Sequence, residues 1–109
     1  MRCTWAMAVG MFLATNVSAG EAGWTQPAGI TALEANQQGR FTLRLNLNKS
    51  ASGCRSADGF YADYGRDGSE LMYQTALEAL SNQRRVQVYV TGGCDLDGYS
   101  AISSVRILP

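Results

Sequence analysis

The chain has 109 residues, with 9 basic and 9 acidic side chains, three cysteines and no histidine. That length holds one domain, and a net charge of zero lacks the clustered Lys and Arg that nucleic acid or an anionic membrane demands. Without histidine, Ser–His and Cys–His nucleophile chemistry is excluded, and the commonest general base and transition-metal ligand are missing.

Arg2 gives the chain a positive start, and Trp5, Ala6, Met7, Ala8, Val9, Met11, Phe12, Leu13 and Ala14 make an apolar run after it. Val17-Ser18-Ala19 then supplies the small residues that a signal peptidase reads. The run is too short to span a bilayer core, which takes about 20 residues. Residues 1–19 therefore read as a secretory signal, residues 20–109 as the mature domain, and the compartment as secreted or periplasmic. Cys3 leaves with the signal. The remaining pair, Cys54 and Cys94, reads as a disulfide in an oxidising compartment. A bridge closing a loop of that length contributes about 4 kcal/mol in the chain-entropy treatment.

Glu21 to Gly29, with Pro27, reads as a polar arm. Ile30 to Ala35 is a short strand, and Asn36-Gln37-Gln38-Gly39 is turn chemistry with Gly39 able to take positive φ. Arg40 to Asn48 is the strongest strand: Phe41, Leu43, Leu45 and Leu47 alternate with Thr42, Arg44, Asn46 and Asn48. A polar loop leads to Cys54, Gly59 to Tyr64 forms a third strand, and Gly65 to Gly68 turns the chain. Asp67 followed by Glu70 predicts a capped helix start. The helix runs to about Asn82, with Leu71, Met72, Tyr73, Ala76, Leu77, Ala79 and Leu80 as a broad apolar face suited to core packing. Val86, Val88 and Val90 alternate through a fourth strand ending at Gly92. Ala101 to Leu108 closes the chain as a fifth, with an interruption between Ile102 and Val105 that predicts a bulge.

The order β-β-β-α-β-β is mainly β with one helix. It fits a five-stranded Greek-key barrel of the OB (oligonucleotide/oligosaccharide-binding) type, with the helix plugging one end and one disulfide. An open antiparallel sheet with the helix across it is the alternative.

The motifs that could carry chemistry are sparse. Asp95-x-Asp97-Gly98 lacks the third ligand and the distal Glu of a calcium loop and reads as a turn. Asp63, Asp67 and Glu70 around Arg66 are explained by a helix cap and solvated charge. No metal site, cofactor or catalytic residue is expected. The candidate binding residues are Tyr61, Tyr64, Tyr89 and Tyr99, because aromatic faces pack on sugar rings while neighbouring polar groups bond the hydroxyls.

The hairpin, Cys54, the aromatic strand, the helix around Leu71-Met72-Tyr73-Gln74-Thr75-Ala76-Leu77, and Val86-Gln87-Val88-Tyr89-Val90 leading to Gly93-Cys94 form a recognisable series. It resembles the small exported OB-fold family that includes the B subunit of subtilase cytotoxin, and also short periplasmic proteins of Gram-negative bacteria. The resemblance implies an OB-like fold, a disulfide and a homo-oligomer, and it carries no sugar-binding residue over to this chain. The expected function is a non-catalytic exported binding module for a glycan. The alternative is a periplasmic protein that binds another envelope protein as inhibitor or assembly factor. Neither reading includes nucleic acid, or a membrane span after signal cleavage.

Overall fold

A computed structural model describes residues 21–96 and 98–109. The expected signal segment, Cys3 included, and Asp97 lie outside the described residues. The elements are β1 (Gly23–Trp24), β2 (Ala28–Ala35), β3 (Arg40–Leu45), β4 (Gly59–Asp63), α1 (Ser69–Ser81), β5 (Arg85–Asp95) and β6 (Tyr99–Ile107). The chain is thus mainly β with a single helix among the described residues.

The strands pair in the order β1–β5–β2–β3–β4–β6, and β6 pairs back onto β5. Five strands therefore form a closed circuit of pairings, and β6 presents no open edge. β4 and β6 run parallel, with Tyr61 opposite Ala101, while every other pair is antiparallel. Closed pairing satisfies backbone donors and acceptors that an open edge would leave exposed.

Strict alternation on β3 and β5 places the core. Phe41, Leu43 and Leu45 from β3 and Val86, Val88 and Val90 from β5 are buried, and Phe60 and Ala62 of β4 meet them. Each large buried side chain contributes about 1.5–3 kcal/mol relative to exposure. The intervening residues Arg40, Thr42 and Arg44 on β3, and Gln87, Tyr89 and Thr91 on β5, consequently face outward. The bulge expected in the last strand is present: Tyr89 opposes Ser104 and Val90 opposes Ile102, so Ser103 is the additional residue. Gly39 takes φ 85° in the β2–β3 turn, as that turn requires.

Four expectations need correction. The segment Glu21–Gly29 is no loose arm. Trp24 pairs with Tyr89, Thr25 N–H donates to the Val88 carbonyl at 2.9 Å, and Ala28 pairs with Val86. Thr25 is buried there, and its hydroxyl accepts the Val88 N–H at 3.1 Å. The strand from Arg40 ends at Leu45 rather than Asn48, because Asn46 N–H turns to the Gly29 carbonyl. β5 continues through Cys94 to Asp95, and β6 begins at Tyr99.

The fourth concerns the helix. Its N-cap is Gly68 in the left-handed region, with no side-chain cap, so Asp67 does not form the expected box with Glu70. The buried Ser69 hydroxyl instead donates to the Asp63 carbonyl, fastening the helix start to the end of β4. α1 lies against β6, β2 and β5. Ala76 and Ala79 are buried, with Met72 and Tyr73 half-buried. Leu71, Leu77 and Leu80 are 68%, 44% and 36% exposed, so only part of the expected apolar face packs.

Cys54, in the loop before β4, and Cys94, near the end of β5, form a disulfide with their Cα atoms 5.8 Å apart. Beneath it the buried Ser52 and Ser100 hydroxyls share a hydrogen bond of 2.7 Å.

Candidate functional site

The four predicted tyrosines are not brought together. Tyr64 packs into the core edge: its ring centroid is 5.8 Å from Phe41 and 6.0 Å from Tyr73, and burial pushes its phenol pKa up. Tyr99 is engaged in the β4–β6 seam. Its ring covers Gly59, where an added Cβ would stand 2.7 Å from it, and its hydroxyl accepts from Arg44 Nη2 at 2.5 Å. Arg44 also pairs with Asp58 at 3.0 Å. Tyr89 faces outward, as its alternation with the valines predicts, and meets Trp24 edge-to-face at 5.4 Å. Tyr61 lines a cleft on the outer face of the sheet.

That cleft, about 360 Å³, lies between the outer faces of β4, β5 and β6 and the turn that leads into α1. Tyr61 opposes Ala101, so a methyl group rather than a long side chain lies beside the phenol ring. Asp63 at the end of β4, and Arg66, Asp67, Ser69 and Met72 from the turn and the start of α1, line it together with Thr91 and Ser103.

The wall chemistry is mixed. Asp63 accepts from Arg40 Nε at 2.6 Å, and a second nitrogen of Arg40 reaches Asp95 at 3.5 Å. The Asp63 hydrogen bond raises the Arg40 pKa, against a smaller opposing effect of burial. Arg40 lies 4.7 Å over the Tyr61 ring, an attraction between a cation and the negative ring face. Burial, then the Asp95 charge, raises the Tyr61 phenol pKa above its ordinary value. The cleft therefore offers an aromatic wall held by Arg40, carboxylates as acceptors, a guanidinium donor at Arg66, and hydroxyls at Thr91 and Ser103 that donate or accept. Asp63, Arg66 and Asp67 do share this wall, but Glu70 lines a different groove, and Asp63 pairs with Arg40.

That second groove, about 570 Å³, runs beside α1 and is lined by Tyr64, Glu70, Tyr73, Gln74 and Leu77. Among the described residues no cluster of three or more His, Cys, Asp or Glu is placed to hold a metal ion. No described helix is long and apolar enough to cross a membrane.

Sequence reasoning missed Thr91, Ser103 and Trp24. Thr91 carried a readable signal, since it alternates with the valines of β5, whereas Ser103 falls where the alternation of β6 is broken. Trp24 carried none, because its strand exists only through pairing with β5.

Compared with known proteins, the chain matches no protein-family model and no curated protein.

Proposed function

We propose that this chain is an exported, non-catalytic binding domain of the OB type that takes a glycan in the cleft beside Tyr61. The observation that carries the reading is the composition of that cleft: one rigidly held aromatic wall facing hydroxyl, carboxylate and guanidinium groups. A sugar ring has apolar C–H faces and a rim of hydroxyls, and needs that pairing of surfaces. Support for the barrel assignment comes from the closed circuit of pairings, the parallel β4–β6 contact and the helix inserted before β5. Export and kinship with the toxin B-subunit family belong to the same proposal. They rest on the signal-like first 19 residues and the order of elements, and the Cys54–Cys94 bridge suits an oxidising compartment.

The test is a glycan microarray probed with the labelled, oxidised mature chain beside its Tyr61→Ala and Ser103→Trp variants, with thermal unfolding as the fold control. The reading expects discrete glycan signals that fall about tenfold or more in both variants, equivalent to about 1.4 kcal/mol. Signals indifferent to both substitutions would refute it.

A second reading has its own observation. Leu77 and Leu80 project from α1 three residues apart, with Leu77 lining the Tyr64–Tyr73 groove, and an exposed apolar helix surface of that kind suits a protein partner. In this reading an envelope protein, or further copies of this chain, covers the helix. Leu77→Lys then abolishes complex formation in light scattering while Tyr61→Ala does not.

A further inference from the structure

Outside the cleft, the outer face of the barrel carries an ordered aromatic surface on β1, β5 and β6. The β1–β5 register sets Trp24 opposite Tyr89, and their rings meet edge-to-face at 5.4 Å. Arg106 of β6 lies with its guanidinium carbon 3.9 Å over the indole. Arg106 Nε donates to Gln87 Oε1 at 3.1 Å, and Gln87 Nε2 donates to the Thr25 carbonyl at 2.9 Å. The loop of contacts closes on the residue next to Trp24. An aromatic group fixed this way loses little conformational freedom when a ligand arrives. With Arg106 on one face, Trp24 is still 40% open to solvent.

This surface is in line with the cleft. Tyr89 and Thr91 are successive outward residues of β5, about 7 Å apart by strand geometry, and Thr91 is part of the cleft wall. Trp24 on β1 and Tyr61 on β4 are separated by β5 and β6, with strands about 4.8 Å apart, so one sugar ring does not reach both. The spacing suits neighbouring units of one chain that crosses β6 and β5 past Thr91.

We propose that the glycan is an oligosaccharide that continues out of the Tyr61 cleft, past Thr91, onto a second subsite formed by Trp24, Tyr89 and Arg106. The indole supplies the stacking face there, and Arg106 and Gln87 supply donors to hydroxyls. The inference rests on the glycan reading of the cleft and adds that recognition depends on ligand length.

A microarray printed as length ladders, each glycan from monosaccharide to hexasaccharide, separates the two claims. For the wild-type chain, signal rises about tenfold or more between the shortest bound member and members one or two units longer. Trp24→Ala removes that rise while leaving the shortest bound member unchanged, and Trp24→Phe restores most of it. Trp24→Thr, which suits a strand, repeats the Ala result should Ala weaken β1. A length response identical in wild type, Trp24→Ala and Trp24→Thr overturns the second subsite and leaves the cleft reading standing. An array silent for the wild-type chain overturns both.

Discussion

Reducing the Cys54–Cys94 bridge tests how much of the domain's stability resides in one covalent tie. The bond joins residues 40 apart, and the chain-entropy relation for a loop of that length gives about 4 kcal/mol. A domain of about 90 residues has a net stability of roughly 5–13 kcal/mol, so the bridge accounts for a third or more of it. Other ties of the loop before β4 include the Ser52–Ser100 hydroxyl contact at 2.7 Å, Glu21 N–H to the Ser52 carbonyl at 2.9 Å, Ser56 N–H to the Gly98 carbonyl at 3.0 Å, Leu45 N–H to the Asp58 carbonyl at 3.0 Å and the Arg44–Asp58 ion pair at 3.0 Å. Urea unfolding of the oxidised protein, the reduced protein and a Cys54→Ala/Cys94→Ala variant, followed by tryptophan fluorescence, measures the difference. With an m-value near ~1.3 kcal/mol/M the midpoint falls by about 3 M. A loss below about 1 kcal/mol in both the reduced protein and the variant would refute the assignment of that share to the bridge.

Three further outcomes follow from the packing. Gly59→Ala forces a methyl group to within 2.7 Å of the Tyr99 ring, which Arg44 holds in place, and so lowers stability by about 1–3 kcal/mol, read as a drop in Tm. Leu71→Gln changes stability by less than about 0.5 kcal/mol in the same assay, because Leu71 packs against little of its own chain. Alkaline titration destabilises the fold. Tyr61 and Tyr64 have folded pKa values raised above the ordinary 10.0, mainly by burial. Their contribution is intact below pH 10 and is lost as pH rises through the folded values, because the unfolded chain ionises first. The slope is about 1.4 kcal/mol per pH unit for each phenol, and Tyr61→Phe and Tyr64→Phe each flatten it in denaturant unfolding between pH 9 and 11.5.

Where burial follows a local period, the fold was legible in the residues. Phe41-Leu43-Leu45 and Val86-Val88-Val90 announce strands with one dry face, and the broken alternation at Ser103 announces its bulge. The cysteine pair reads correctly for the same kind of reason, because two thiols in one small domain have few other uses. Long-range pairing was not legible. Thr25, Gln26 and Pro27 interrupt any alternation, so β1 exists only because β5, more than 60 residues later, accepts it. The helix misled in a different way. Its apolar residues are more numerous than the sheet surface beneath them covers, so the two alanines are buried and the leucines stay exposed. Tyr64 resembled the surface tyrosines in sequence, but it follows the last residue of β4, and the turn carries it inward to Phe41. The cleft was half legible. Tyr61 was legible as a candidate aromatic, whereas Ala101 matters only through what it leaves open beside the ring.

The account turns on the cleft beside Tyr61, and amide chemical-shift mapping tests it most directly. The ¹⁵N-labelled oxidised chain is titrated with the strongest glycan from the array. The account predicts shifts concentrated at Asp63, Arg66, Ser69, Thr91 and Ser103, with the helix amides from Leu77 to Ser81 unmoved. Shifts confined to the exposed leucine face of α1, with the cleft silent, would contradict it and favour a protein partner on the helix.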